Sequence, residues 1–369
     1  MTHRRAGAGG AAGTRPRSFA KDDMSFRILQ LGGGNRGCMW ARVAAKAGGI
    51  EIAAIVDPSP TARDRFGAEN PKIPWFTEID VALASGNFDA ALLVTPPDGH
   101  LDQCRRLFTA RLPILAEKPL SDSLETSIAI VNLADAAGLH LTVGLNFRYL
   151  PCSQTMRDWL TNEKLGRVGF GQFSYLRNRD GKRPGLNRYP LSMEHPMMLE
   201  QTIHHLDLIR YCHGREVEEI LCRTWNPPWS VYAHDANVHC LLAMEGGIEV
   251  NYFGTWSGGW NRPDFEWRID CADGVFVQRE LHSNCTFARS ADTALTPIPI
   301  KDAEPYYDDT TILLKDFVAA VKNNTPPPCD GRDHLRSLGL CFAGLESAKT
   351  GKAVKLAEFY DRTGLSRLL

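Results

Sequence analysis

Between Phe26 and Asn146 the chain alternates apolar runs with segments of helical character, and no other feature narrows its fold so far. FRILQL, IEIAAIV, AALLV, PILA and LHLTV are apolar mostly on successive residues rather than on every second one. Strands buried on both faces of a parallel sheet read this way. The stretches between them have helix length, and Asp122–Gly138 carries a capping start and a glycine stop. This repetition predicts an α/β unit over residues 25–147, a doubly wound parallel sheet with helices on both faces. Residues 1–24 are rich in Gly, Ala and Arg and lack Leu, Ile and Val, so they are expected to form a disordered leader. Arg4-Arg5 lacks the apolar stretch that an export signal requires.

Beyond residue 148 the pattern changes. VHCLLAMEGGIEVNYFGTW pivots at Gly246-Gly247 and FEWRIDCADGVFVQRE at Asp273-Gly274, and such steps between strand-like runs signal hairpins. MMLEQTIHHLDLIRYCHG and residues 309–323 and 332–350 read as helices. Residues 148–369 are therefore expected to form a second, α+β domain with a large, mainly antiparallel open sheet.

Where the first apolar run ends, Gly32, Gly34 and Gly37 fit G-x-G-x-x-G, and a helix is expected to begin at Gly37. Without side chains, such a turn lets a pyrophosphate reach main-chain N–H groups at the positive helix end, here with Asn35 and Arg36 inside the turn. The spacing alone is weak. It gains force from Asp57, which ends the next apolar run twenty residues after Gly37. A carboxylate there accepts the ribose hydroxyls of NAD and repels the 2′-phosphate of NADP, while Arg63 nearby keeps NADP open.

Lys118 follows the apolar run PILA, at a strand's carboxyl end, where open α/β sheets bind ligands. An ammonium there can stabilise an alkoxide developing from a substrate hydroxyl, or can simply sit in a surface turn. Glu200, His204 and Asp207 are spaced by four and three, which places them on one side of a helix. Histidine suits a proton acceptor near neutral pH. A structural histidine, or half of a zinc site with His205, is the alternative.

These features, with DAALLVTPPDGH, EKP at Glu117–Pro119, EQTIHHLD and the tail from Phe317 to Leu356, resemble the glucose–fructose oxidoreductase/inositol dehydrogenase/MocA family from Phe26 to about Leu356. The resemblance implies a Rossmann domain and NAD-dependent oxidation of a secondary hydroxyl on a sugar, cyclitol or glycoside. It makes Lys118 the group that polarises the hydroxyl, His204 the base, and Pro119 the partner in a cis bond that aims the lysine. Thr95, Pro96, Pro97, His100 and Glu117 join the glycine turn, Asp57 and Lys118 as cofactor contacts. Asn146 and Arg148 join Lys118, Glu200 and His204 as substrate contacts, unless LNFRYLP merely links the domains. The family pattern D-x-G-x-H-x-x-D is altered here, with Glu200 for the Asp and Thr202 for the Gly. Asp207 is expected to be structural or to orient the histidine. A homodimer or homotetramer through the second sheet is also implied. The alternatives are a glycoside-processing enzyme that uses tightly held NAD transiently, and a non-catalytic sugar sensor.

Arg177, Arg179, Lys182, Arg183 and Arg188 form a basic stretch, read as a solvated loop or a recognition site for an anionic or polyhydroxylated substrate. Trp225, Trp229, Trp256 and Trp260 are candidates for stacking on a sugar face or for packing the sheet. With 42 basic and 43 acidic residues, the charge balance recommends neither nucleic acid nor a membrane surface as partner. Ten cysteines without a C-x-x-C pair read as reduced, buried thiols of a cytoplasmic protein and argue against a metal framework.

Overall fold

The computed structural model describes residues 25–179, 188–327 and 329–369; the expected leader, Lys182 and Arg183 lie outside them. The first sheet is built from β1 (Phe26–Leu31), β2 (Ile50–Val56), β3 (Trp75–Phe76), β4 (Ala90–Leu93), β5 (Ile114–Ala116) and β6 (Leu141–Val143). Among the described residues its order is β3-β2-β1-β4-β5-β6, and every pairing is parallel. Order reverses beside β1, and such a switch point opens a crevice at the strands' carboxyl ends. Helices α1 (Asn35–Ala47), α2 (Pro60–Glu69), α3 (Ile79–Ser85), α4 (His100–Thr109) and α5 (Leu124–Ala137) make the crossovers. Ser123 caps α5 through the Thr126 N–H, and left-handed Gly138 ends it, as its sequence predicts.

The second sheet comprises β7 (Val168–Leu176), β8 (Val217–Trp225), β9 (Asn237–Met244), β10 (Ile248–Thr255), β11 (Asp264–Cys271), β12 (Gly274–Glu280), β13 (Ser283–Arg289), β14 (Thr296–Pro297) and β15 (Val354–Lys355). Among the described residues its order is β14-β13-β12-β11-β7-β10-β9-β8-β15, antiparallel except where β10 runs parallel to β7. Both expected hairpins are present, β9–β10 and β11–β12. Helices α6 (Pro151–Thr161), α7 (Ile203–His213), α8 (Asp308–Asn323), α9 (Gly331–Thr350) and α10 (Leu356–Thr363) complete the chain.

Packing does not respect a division at residue 147. Leu313, Leu314, Phe317 and Val318 of α8 share a core with Phe26, Trp40, Val43 and Ile55 on one face of the first sheet. Burying each such side chain stabilises the fold by roughly 1.5–3 kcal/mol, so a helix from the far end of the chain helps to hold the first sheet. The other face of that sheet and the inner face of the second share one continuous core. All ten cysteines are free thiols, and all but Cys271 are buried. No helix of the described residues is long and apolar enough to cross a membrane.

Desolvation lowers the pKa of buried His205 to about 3 and those of His213 and His334 to about 4. The unfolded chain takes up these protons near pH 6.5, the folded protein only far below it. Between those limits the unfolded state binds more protons, so this contribution to stability is complete above about pH 6.5 and lost as pH falls toward 4. The thermal midpoint is therefore expected to drop between neutral pH and about pH 5; a flat or rising midpoint contradicts these assignments.

Candidate active site

The glycine turn leaves β1 and enters α1, which starts at Asn35, two residues before the position expected from sequence. Among the described residues no side chain caps this helix, so its first N–H groups remain available to an anion. Gly32 has φ 99°, and a Cβ there would lie 2.5 Å from the Val94 carbonyl oxygen. A Cβ on Gly37 would lie 2.3 Å from the Gly32 carbonyl oxygen. Around Gly34, by contrast, a Cβ would meet no atom within 4 Å, which leaves the cradle open where a phosphate would enter. Asp57, at the end of β2, accepts from the Gly33 N–H (2.8 Å) and the Ser59 N–H (2.8 Å), which fixes its carboxylate beside the turn. Arg63 of α2 is exposed, and Arg65 of the same helix donates to Asn35 (2.5 Å) in the turn. These residues fit a dinucleotide. Gly32→Ala is expected to weaken NAD binding and to cost about 1–3 kcal/mol of stability through strain at positive φ, read by equilibrium binding and thermal unfolding.

From this turn a cavity of about 460 Å³ opens over the strand ends. Gly34, Asn35 and Arg36 form one wall, and Val94–Pro97, His100 and Glu117–Pro119 form the floor. Glu117 accepts from Arg36 Nε (2.5 Å) and Trp40 Nε1 (2.7 Å), which ties the turn to the end of β5. His100 braces the same region from beneath, with its ring nitrogens 3.0 Å from the Thr95 carbonyl and 2.9 Å from that of Leu120. Asn146, Phe147, Arg179, Tyr189, Glu200, Gln201, His204 and Tyr306 complete the lining.

The Lys118–Pro119 peptide bond is cis. Lys118 Nζ donates to Glu200 Oε2 (3.1 Å) and to the Glu200 carbonyl oxygen (2.9 Å). An ammonium has three N–H groups, so one is left for a ligand. Glu200 occupies a π-helical turn, Met198–Thr202, that runs into α7. Such turns shift the main-chain pairing by one residue and recur at functional sites. The simple helical spacing expected for Glu200 and His204 therefore holds only beyond residue 203.

His204 is buried, stacks on Phe147 with ring centroids 4.3 Å apart, and has no partner for Nδ1 among the described residues. Desolvation, then the neighbouring Lys118 charge, holds its pKa well below the usual value, so the imidazole is neutral at working pH. His205 faces away, its ring 3.0 Å from Gln201 Nε2 and 2.9 Å from the Tyr252 hydroxyl.

Arg148 and Asp207 stand elsewhere. Arg148 is absent from the cavity wall: its guanidinium donates to both Asp207 carboxylate oxygens (2.8 and 2.5 Å) and pairs with Asp333 (2.6 Å). Asp207 also accepts from Ser337 Oγ (2.7 Å) and contacts no ring nitrogen of His204. Of the two roles expected for Asp207, these contacts are those of a structural residue rather than of one that orients His204, and Arg148 belongs to a buried ion network rather than a substrate wall. Asn146 does line the cavity and donates to Asp309.

Among the tryptophans, Trp256 is buried under Arg179, Trp225 stacks on Phe253, and Trp229 and Trp260 are exposed; none lines the cavity. Sequence reasoning passed over Tyr189 and Tyr306. Desolvation and the Glu200 carboxylate raise the Tyr189 phenol, which hydrogen-bonds Glu200. Tyr189 opens a three-residue 3-10 turn and Tyr306 lies in another turn, segments too short for periodicity, so no sequence signal singled them out.

Residues 26–145 match the model of the GFO/IDH/MocA oxidoreductase family, NAD-binding Rossmann fold, and residues 153–277 match its C-terminal domain. A Sinorhizobium fredii protein, y4oX, is 26% identical over 93% of this chain and 99% of its own. An inositol 2-dehydrogenase of Corynebacterium glutamicum is 28% identical over 62% of this chain and 66% of its own. An oxidoreductase from Agrobacterium radiobacter, solved with NAD+, L-tartaric acid and magnesium, superposes with a TM-score of 0.81 at 19% identity, covering 91% of this chain and 99% of that one.

Proposed function

The chain belongs to the GFO/IDH/MocA family of NAD-dependent oxidoreductases, and on that premise we propose that it oxidises a secondary hydroxyl of a sugar, cyclitol or glycoside, with Lys118 polarising the hydroxyl and His204 taking its proton. The observation that carries this reading is the pairing, in one cavity, of a lysine with an N–H to spare and a buried neutral imidazole. NAD, when bound along the glycine turn, supplies the hydride acceptor.

The residues of this chain do the rest. Lys118 donates to the hydroxyl oxygen and stabilises negative charge as the O–H proton leaves. His204, neutral and desolvated, accepts that proton while the carbinol hydrogen leaves as hydride with the C–H bonding pair, so the carbon is oxidised by two electrons and a carbonyl forms. Glu200 holds the ammonium from behind through a side-chain and a main-chain oxygen. Phe147 fixes the imidazole plane by stacking. Asp57 beside the turn supports NAD over NADP, because its carboxylate would face a 2′-phosphate. The inositol dehydrogenase relative supports a polyol substrate. The open nine-stranded sheet exposes Phe170, Leu221, Trp225 and Leu241, which supports self-association through that face.

A screen of sugars, inositols and glycosides with NAD and with NADP tests the reading. Reduced nicotinamide is expected from at least one polyol, faster with NAD. No turnover of any polyol with either cofactor would defeat it.

A further inference from the structure

We propose that Arg179, backed by Arg177, binds a carboxylate, so that the polyol oxidised here is a sugar acid; this rests on the dehydrogenase reading above. Among the described residues, the charges lining the cavity are Arg36, Lys118 and Arg179 against Glu117 and Glu200. Arg36 is taken by Glu117, and Lys118 by Glu200. Arg179 is left as a cation with no carboxylate partner among the described residues.

Arg177 is in the same position. Its described neighbours are phenols: its Nη1 lies 3.5 Å from the Tyr175 hydroxyl, with Tyr306 and Tyr232 close by. Both arginines are half-buried. The described partners of these guanidiniums are phenols and an aromatic face rather than anions, which leaves their donor forks suited to a carboxylate ligand.

The placement of Arg179 is built rather than incidental. The strand continuing from β7 bridges Asn178 to Ser257, so residues 177 and 179 project to one side. The Arg179 N–H donates to the Trp256 carbonyl (2.8 Å), and its own carbonyl accepts from the Tyr232 hydroxyl (2.5 Å). Its guanidinium lies 4.3 Å above the ring of Trp256, which is buried in the core. A planar donor fork held on an aromatic face matches the two oxygens of a carboxylate. Lys118 and His204 line the same cavity, so a substrate whose carboxylate meets Arg179 shares one space with the group to be oxidised.

Steady-state kinetics with NAD test this on matched pairs, D-glucose against D-glucuronate and D-galactose against D-galacturonate, with D-glucose 6-phosphate as a phosphate probe. The acids are expected to show the higher kcat/KM. Arg179→Gln is expected to shrink the acid-to-neutral preference on the order of 10- to 100-fold, chiefly through KM, with Arg179→Lys in between. Stabilisation of each variant by NAD in a thermal melt shows that it has folded. Neutral sugars oxidised as well as the acids, or a preference untouched by Arg179→Gln, would overturn the inference and leave the dehydrogenase reading standing. Preference for the phosphate would overturn the carboxylate assignment. No turnover of any polyol, acidic or neutral, would remove both.

Discussion

Lys118→Met is expected to lower kcat/KM by roughly a hundred- to a thousandfold while NAD still binds. Methionine keeps the unbranched chain but removes the donor that meets the developing alkoxide. It also strips Glu200 of its cation, since Lys118 is the residue bonded to both its side-chain and main-chain oxygens. Glu200→Gln is the informative companion, because it removes that countercharge and leaves the ammonium in place. Its smaller loss would show that Glu200 positions the lysine rather than reacting. NAD binding, read by fluorescence, separates lost chemistry from lost cofactor. Activity of Lys118→Met within a few-fold of the parent would rule out the assigned role.

Asp207→Ala is expected to cost about 3–5 kcal/mol of stability. The carboxylate is buried and accepts from Arg148 and Ser337, with Arg210 3.7 Å away. Arg210 itself is shared among Glu216, Asp333 and Ser337. Asp333 shows how strong the local field is: burial works to raise its pKa, yet Arg148 and Arg210 hold it down at about 2. Removing Asp207 leaves Arg148 buried with Asp333 as its remaining anion. Chemical unfolding of the NAD-free protein measures the cost. A loss below about 1 kcal/mol, accompanied by a fall in kcat, would instead favour the alternative expectation, that Asp207 orients the histidine.

The glycine turn, Asp57 and the lysine at the end of β5 were legible because each is fixed by local chain geometry: a strand, a tight turn, a helix entry. The hairpins at Gly246-Gly247 and Asp273-Gly274 were legible for the same reason. β7 was not, since Gly169 and Gly171 break its strand pattern and its pairing with β10 and β11 decides it instead. Nothing within 308–323 says which sheet that helix covers; its contact with α1 is a long-range choice made by packing. Arg148 read as a pocket residue because its position at the domain junction was right. Only the folded chain brings Asp207 and Asp333 to it. Tyr189 and Tyr306 lie in turns whose placement no periodicity encodes; Arg179 was legible as part of a basic stretch, but only the folded chain brings it to the cavity.

The central claim is hydride removal from a carbinol carbon in the Lys118–His204 cavity. Its most direct test uses a polyol that passes the substrate screen, deuterated at the carbinol carbons, with mass analysis of the nicotinamide product. The reduced nicotinamide is expected to carry one deuterium from the oxidised carbon, and turnover is expected to slow with the labelled polyol. Reduced nicotinamide free of deuterium would contradict the central claim.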